Sequence, residues 1–130
     1  MEKHSLVDVL EAIADSKSLE IFRDIAKGTV ESEVLKRKDG ISRKQYYVRT
    51  RKLVTAGLAK RIKGRFSLTN FGIVVYHAAL IVEASVNSFW KLGAIDSIQD
   101  SGQIVEQERI KLIQTILDGS AIENILVKQR

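Results

Sequence analysis

The sequence predicts a mainly α-helical fold with one small β-hairpin, and three observations support it. The chain of 130 residues contains no proline, so no residue interrupts a helix by losing its N–H or by clashing with the preceding turn. Apolar residues recur at intervals of three and four along most of the chain, which is the spacing of a buried helix face. Residues 58–68 instead form two short segments around Lys63-Gly64, a pair typical of a tight hairpin turn.

Three helices are predicted in the first part of the chain. Ser5 is the expected cap of the first helix. Its apolar stripe consists of Leu6, Val9, Leu10 and Ile13. A second helix runs from about Leu19 to Lys27, after a polar break or cap at residues 15–18, and Gly28 ends it. A short helix at about Val30–Arg37 follows.

The fourth predicted helix has the clearest start signal in the chain. Ser42-Arg43-Lys44-Gln45 has the pattern of a capping box, in which the serine hydroxyl accepts a hydrogen bond from the backbone N–H of the glutamine. The helix runs to about Ala56 and stops at Gly57. Its expected inward positions, spaced by four and three, are Tyr46, Thr50 and Leu53. At 100° per residue, the positions that point directly away are Lys44, Val48, Arg51 and Thr55.

The C-terminal half is predicted to be helical on both sides of a loop. Thr69 or Asn70 caps a long helix at about Phe71–Leu92, and a loop or frayed turn covers Gly93–Gly102. A helix at about Ile104–Asp118 and a last one at Ser120–Lys128 follow. Along the long helix, a row spaced alternately by four and three resembles a coiled-coil seam, with Phe71, Val75, Ala78, Val82, Ser85, Phe89 and Leu92.

Positive charge is concentrated in one segment. Residues 36–65 hold twelve lysines and arginines and one acid, whereas the rest of the chain holds nine bases and fifteen acids. A local net charge of +11 in an otherwise acidic chain attracts polyanions such as nucleic acids.

Several other classes of function find no support in the sequence. There is no cysteine, which excludes disulfides, thiolate nucleophiles and cysteine metal sites. We find no glycine-rich phosphate loop, metal-ligand spacing or nucleophile elbow, so we expect no enzyme activity, no metal and no cofactor. The most apolar stretch, residues 71–82, is shorter than the about 20 residues of a membrane span, and we expect no membrane partner.

The predicted order of elements is helix, helix, turn, basic helix, hairpin and long helix. The segment 18–76 resembles the winged helix-turn-helix transcription regulators, particularly small archaeal ones related to the ArsR and MarR groups, and the resemblance is strongest in residues 41–72, ISRKQYYVRTRKLVTAGLAKRIKGRFSLTNFG. The resemblance implies a recognition helix in the major groove and a wing on the flanking backbone or minor groove. It assigns residues 1–70 to a DNA-binding domain with an N-terminal helix.

The predicted DNA contacts fall into two sets. Base edges are the expected targets of the outward and N-terminal positions of the basic helix: Arg43, Lys44, Gln45, Tyr47 and Val48. The phosphate backbone, with the minor groove as an alternative for the wing tip, is the expected target of Arg49, Arg51, Lys52, Lys60, Arg61, Lys63 and Arg65. For Tyr47, packing against a neighbouring helix is an equal alternative.

Residues 71–130 are predicted to form a homodimerisation element. The expected interface consists of Phe71, Val75, Ala78, Val82, Phe89 and Trp90. The alternative is that the C-terminal helices cover this face within one chain. The function expected from all of this is a cytoplasmic, nucleoid-associated regulator that binds specific double-stranded DNA. A protein-interaction adaptor and a nonspecific architectural chromatin protein are the alternatives, and no residue defines an effector site.

Overall fold

A computed structural model describes residues 4–28, 30–31 and 42–129 of the chain. The described part is mainly helical with one small antiparallel sheet, and it divides into two compact units, Met1–His77 and Ala78–Arg130. The helices are α1 (Leu6–Ala12), α2 (Ser16–Ala26), α3 (Arg43–Thr55), α4 (Asn70–Asn87), α5 (Phe89–Asp100), α6 (Glu106–Ile116) and α7 (Glu123–Lys128). The strands are β1 (Val30–Glu31), β2 (Ala59–Ile62) and β3 (Arg65–Leu68).

Side-chain caps determine where the first two helices begin. The Ser5 hydroxyl oxygen accepts a hydrogen bond from the Asp8 N–H at 3.1 Å, as the sequence predicts for α1. The Asp15 carboxylate accepts from the Ser18 N–H at 2.9 Å and from the Ser18 hydroxyl at 2.7 Å. Because Asp15 is the N-cap, α2 begins at Ser16, three residues before the predicted start at Leu19.

The short helix predicted at Val30–Arg37 is wrong at its start. Val30 and Glu31 form β1, which pairs antiparallel with β3 through Val30 opposite Phe66 and Glu31 opposite Arg65. The strand order is therefore β1-β3-β2. The periodicity of the segment did not reveal this pairing, because its partner lies far along the chain. Residues 32–37 of the predicted helix lie outside the described residues.

The basic helix α3 agrees with its prediction. The Ser42 hydroxyl oxygen accepts from the Gln45 N–H at 3.2 Å, and Gly57, at φ 83°, follows the C-cap in the left-handed region. The inward positions Tyr46, Thr50 and Leu53 are buried against α2 and the sheet. The buried Thr50 hydroxyl donates to the Tyr46 carbonyl at 3.0 Å, so its polar group has a partner.

The hairpin also agrees with its prediction. Lys63 and Gly64 join β2 to β3 with φ angles of 52° and 75°. Positive φ at both central positions belongs to the tight turn that matches the twist of the two strands. Phe66 on β3 and Ala59 on β2 are buried in the core of the first unit.

The first turn of α4 closes that core. Thr69 caps the helix, because its hydroxyl oxygen accepts from the Gly72 N–H at 2.9 Å while the same hydroxyl donates to the Gly57 carbonyl. A Cβ at Gly72 would lie 2.0 Å from the Leu58 carbonyl oxygen, so only glycine fits this approach. Val75 and Tyr76 pack against the same core, which explains why the first unit extends to His77 and not only to residue 70.

The long helix predicted at Phe71–Leu92 is wrong in its second half. α4 ends at Asn87, Ser88 leaves the helical conformation at φ −106° and ψ 15°, and α5 begins at Phe89. The predicted loop at Gly93–Gly102 is also wrong, since α5 continues to Asp100. The break is consistent with the packing of the second unit, where Ile95 on α5 is buried among residues of α6 and α7.

The C-terminal helices are shorter than predicted. α6 buries Ile113, and the adjoining turn buries Leu117 and Ile122 in the core of the second unit. Ser120 does not open a helix: its hydroxyl oxygen accepts from the Ile122 N–H at 3.2 Å in a turn, and α7 begins at Glu123. Ile125 on α7 is exposed.

Candidate nucleic-acid interface

The face of α3 opposite the core is exposed and positively charged. Of the predicted base-reading residues, all five are exposed: Arg43, Lys44, Gln45, Tyr47 and Val48. Burial of Tyr46, Thr50 and Leu53 fixes the rotation of the helix about its axis, and the five residues consequently face solvent. Short-range periodicity was therefore sufficient to predict this face.

The hairpin extends the positive surface. Lys60, Arg61, Lys63 and Arg65 are all exposed, with Lys63 at the turn. The Arg61 guanidinium lies 5.8 Å from the centre of the Phe66 ring, a cation–π contact that orients the arginine. From residue 42 to residue 65 there are nine basic residues and no acid, and eight of the nine bases are exposed.

A groove joins the two parts of the candidate interface. It has a volume of about 230 Å³ and lies between α3 and the hairpin. Arg51 and Val54 on α3 line it together with Arg61 and Phe66 on the hairpin. The tertiary structure thus brings two of the predicted phosphate contacts, Arg51 and Arg61, to the same groove although they come from different elements.

Tyr47 lines this groove, and it packs on Tyr46, which belongs to the same helix. Its side chain is 47% exposed, and its ring meets the buried Tyr46 ring edge-on at 5.5 Å between centres. Packing against Tyr46 limits the orientations of the ring while leaving half of the side chain accessible.

Arg49 differs from the other predicted phosphate contacts. Its Nε donates to the Asp15 carboxylate at 3.0 Å, and its side chain is only 23% exposed. Desolvation acts to raise the pKa of Asp15, but hydrogen bonds from Ser18 and Arg49 and the positive charge of the guanidinium outweigh it and hold this pKa well below its usual range. Arg49 therefore joins α3 to the start of α2, and we assign it a positioning role.

The sequence reasoning missed Asp15 because its partner is 34 residues away. An aspartate that precedes a helix is sufficiently explained by capping, and no local pattern connects it to an arginine on another helix.

The predicted dimer interface divides into exposed and internal residues. Phe71, Ala78, Val82, Phe89 and Trp90 are exposed, and Trp90 reaches 84% exposure. Val75 instead packs against the core of the first unit, so we remove it from the interface. Val74 and Val86, each 68% exposed, lie on the same face of α4 as Phe71 and Val82 and were missed by the four-three seam. The break at Ser88 means that Phe89 does not continue the row of α4.

Two observations concern a membrane and a metal ion, neither of which the sequence predicts as a partner. α4 is long and apolar enough to cross a membrane by length and composition alone, with a mean hydropathy of 1.2. Among residues 4–28 and 42–129, no group of three or more histidine, aspartate or glutamate side chains is placed to hold a metal ion.

Comparison of the chain with protein-family models, with curated proteins and with solved structures finds no match. The function must therefore be argued from the chemistry and geometry of this surface.

Proposed function

We propose that this protein is a transcription regulator of the winged helix-turn-helix type that binds specific double-stranded DNA. The observation that carries the proposal is the positive, acid-free surface formed by α3 and the hairpin, which is exposed and faces away from the core of the first unit. The strand order β1-β3-β2 and the position of the hairpin directly after α3 support the winged arrangement. A surface of this kind neutralises phosphates and releases counterions.

Different residues of the surface carry different parts of the binding. The N-terminal half of α3 enters the major groove, where Arg43 pairs with guanine and Gln45 with adenine, while Val48 contacts a thymine methyl group. Arg51, Lys52 and the hairpin cations contact phosphates or a narrow minor groove and fix the register of the protein on the duplex. Arg49 joins α3 to the start of α2 through its hydrogen bond to Asp15.

The regulator acts as a two-fold homodimer in this proposal. Phe71, Val74, Val82 and Val86 are exposed apolar residues on α4, and exposed apolar patches mark interaction sites. A second copy is the fitting occupant, because a two-fold axis would present two α3 helices to successive major grooves. The protein is then located in the cytoplasm, on the nucleoid.

Selection of duplex DNA from a random pool tests the proposal. We expect enrichment of one sequence motif, palindromic because of the dimer, and binding that weakens steeply with salt, with a log–log slope of about −0.9 per neutralised phosphate. A matched pair of variants separates the two classes of contact. Arg43→Ala should relax base preference in the motif, whereas Lys63→Ala should weaken all duplexes similarly and reduce the salt slope by about 1.

The outcomes distinguish the alternatives. Equal retention of random and enriched duplexes would support a nonspecific architectural role and contradict sequence-specific regulation. Absence of any duplex binding at low salt would refute a DNA role and leave the protein-interaction adaptor.

A further inference from the structure

A second groove of the first unit lies beside α3, on the side away from the hairpin groove. It has a volume of about 700 Å³ and runs between α1 and α3. Its α3 wall includes Val48, Arg51 and Lys52, which are residues of the proposed DNA-binding face. Its α1 wall includes Asp8 and Glu11. The groove therefore sets two acids opposite two bases at the edge of the surface proposed to receive phosphates.

These two acids differ from three other acids that the structure describes in the first unit. Asp15, Glu20 and Asp24 each lie within 4.0 Å of a cationic nitrogen, at 3.0, 3.7 and 3.9 Å respectively. Among the described residues, no ion pair includes Asp8 or Glu11, and none includes Arg51 or Lys52. The α1 wall therefore presents two carboxyl groups that form no ion pair with the described residues, and a phosphate entering the groove would approach them.

Both walls of the groove are anchored in the core of the first unit. Ala12 on α1 and Ala56, the C-cap of α3, are both buried and line the groove. Val9 and Ala12 anchor α1 in the same core that holds Leu53. The acidic wall is therefore fixed beside α3, and a duplex cannot displace it without disturbing the core of the unit.

We infer that Asp8 and Glu11 are specificity-determining residues that repel the DNA backbone from one side of α3. This inference rests on the proposed DNA-binding function. Nonspecific binding depends on phosphate contacts alone, so any close approach of phosphate to α1 weakens it directly. A duplex with the correct base sequence is held by α3 in one register, in which its backbone contacts the outer face of α3 and does not enter the groove. The acids thus reduce binding to random DNA more than binding to the preferred sequence.

The test compares two doubly neutralised variants that have the same net charge. Asp8→Asn with Glu11→Gln removes the acidic wall. Asp100→Asn with Asp118→Asn is the control, since both of these exposed acids belong to the second unit. Each variant and the unmodified protein are titrated with the duplex enriched from the random pool and with a scrambled duplex of equal length, at low and at physiological salt.

The expected result is about threefold to tenfold tighter binding of the scrambled duplex by the groove variant, with a smaller gain for the enriched duplex and a diminished effect at higher salt. The control should bind both duplexes as the unmodified protein does. Identical behaviour of the two variants would overturn the inference while leaving the proposed function intact, as would equal gains for both duplexes. Failure of the unmodified protein to bind any duplex would overturn both.

Discussion

Removal of the Asp15 carboxylate should destabilise the first unit in two separable ways. Asp15 caps α2 through two hydrogen bonds with Ser18 and accepts one more from Arg49 on α3. Loss of a helix cap costs about 1 kcal/mol. The ion pair contributes roughly 0.5 kcal/mol, because the Asp15 side chain is 46% exposed and solvent screens the attraction. We therefore expect Asp15→Ala to lower the free energy of unfolding by about 1.5 kcal/mol.

Asp15→Asn is the matched control. Asparagine caps a helix as well as aspartate does, so this variant keeps the bond from the Ser18 N–H and loses the charge facing Arg49, while its amide NH2 makes the Ser18 hydroxyl an acceptor. Its free energy of unfolding should fall by about 0.5 kcal/mol, which is a third of the effect of the alanine variant. Urea denaturation followed by far-ultraviolet circular dichroism measures both. Equal destabilisation by the two variants would refute the assignment of the larger effect to the cap.

The pH dependence of the same pair has a definite sign. Asp15 has a lowered pKa in the folded protein and an ordinary pKa of about 3.9 when unfolded. The carboxylate therefore stabilises the fold in full above about pH 5, and this stabilisation is lost progressively as the pH falls through the unfolded-state pKa. The difference in stability between the unmodified protein and Asp15→Asn should be constant from neutral pH to about pH 5 and should shrink in more acidic solution. A difference that grows on acidification would contradict the pairing.

Three further predictions follow from individual positions. Gly72→Ala should prevent normal folding of the first unit, because the added Cβ would lie 2.0 Å from the Leu58 carbonyl oxygen. Gly93→Ala in α5 is the contrasting variant, since no atom lies within 4 Å of the added carbon, and it should raise the free energy of unfolding by about 0.5–1 kcal/mol. Thermal unfolding compares the two, and a tolerated alanine at residue 72 would refute the close approach. Arg109→Ala removes hydrogen bonds to the backbone carbonyls of Leu126 and Gln129 at 3.2 and 2.8 Å, so amide exchange in α7 should accelerate while α2 keeps its protection. Val82 is 63% exposed, so Val82→Asp should leave the fold of the monomer intact. The same variant should dissociate the proposed dimer in sedimentation experiments, and an unmodified protein that sediments as a monomer would contradict the dimer.

Local signals were sufficient for the central part of the candidate site. The cap at Ser42, the glycine at residue 57 and the spacing of Tyr46, Thr50 and Leu53 are contained in sixteen consecutive residues, and the structure has all three features. The Lys63-Gly64 turn is equally local. Because these features involve neighbours along the chain, no knowledge of distant contacts was needed to predict the exposed face of α3.

Distant contacts explain where the predictions failed. The periodicity of residues 71–92 is compatible with one continuous helix, and the chain instead breaks at Ser88 and buries Ile95 with Ile113. Val30 joins a sheet because Phe66 on β3 is available as its partner. In both cases the alternative is stabilised by residues outside the window from which a local pattern is derived.

The sequence by itself determined the segregation of charge, the limits of α3 and the residues that α3 exposes, because caps, turns and helical periodicity act over a few consecutive residues. Tertiary structure alone decided that Arg49 serves Asp15, that Val75 belongs to a core, and that the acids of α1 stand across a groove from Arg51 and Lys52. These outcomes depend on which surfaces pack together when apolar side chains leave water, and that packing involves residues that are far apart along the chain.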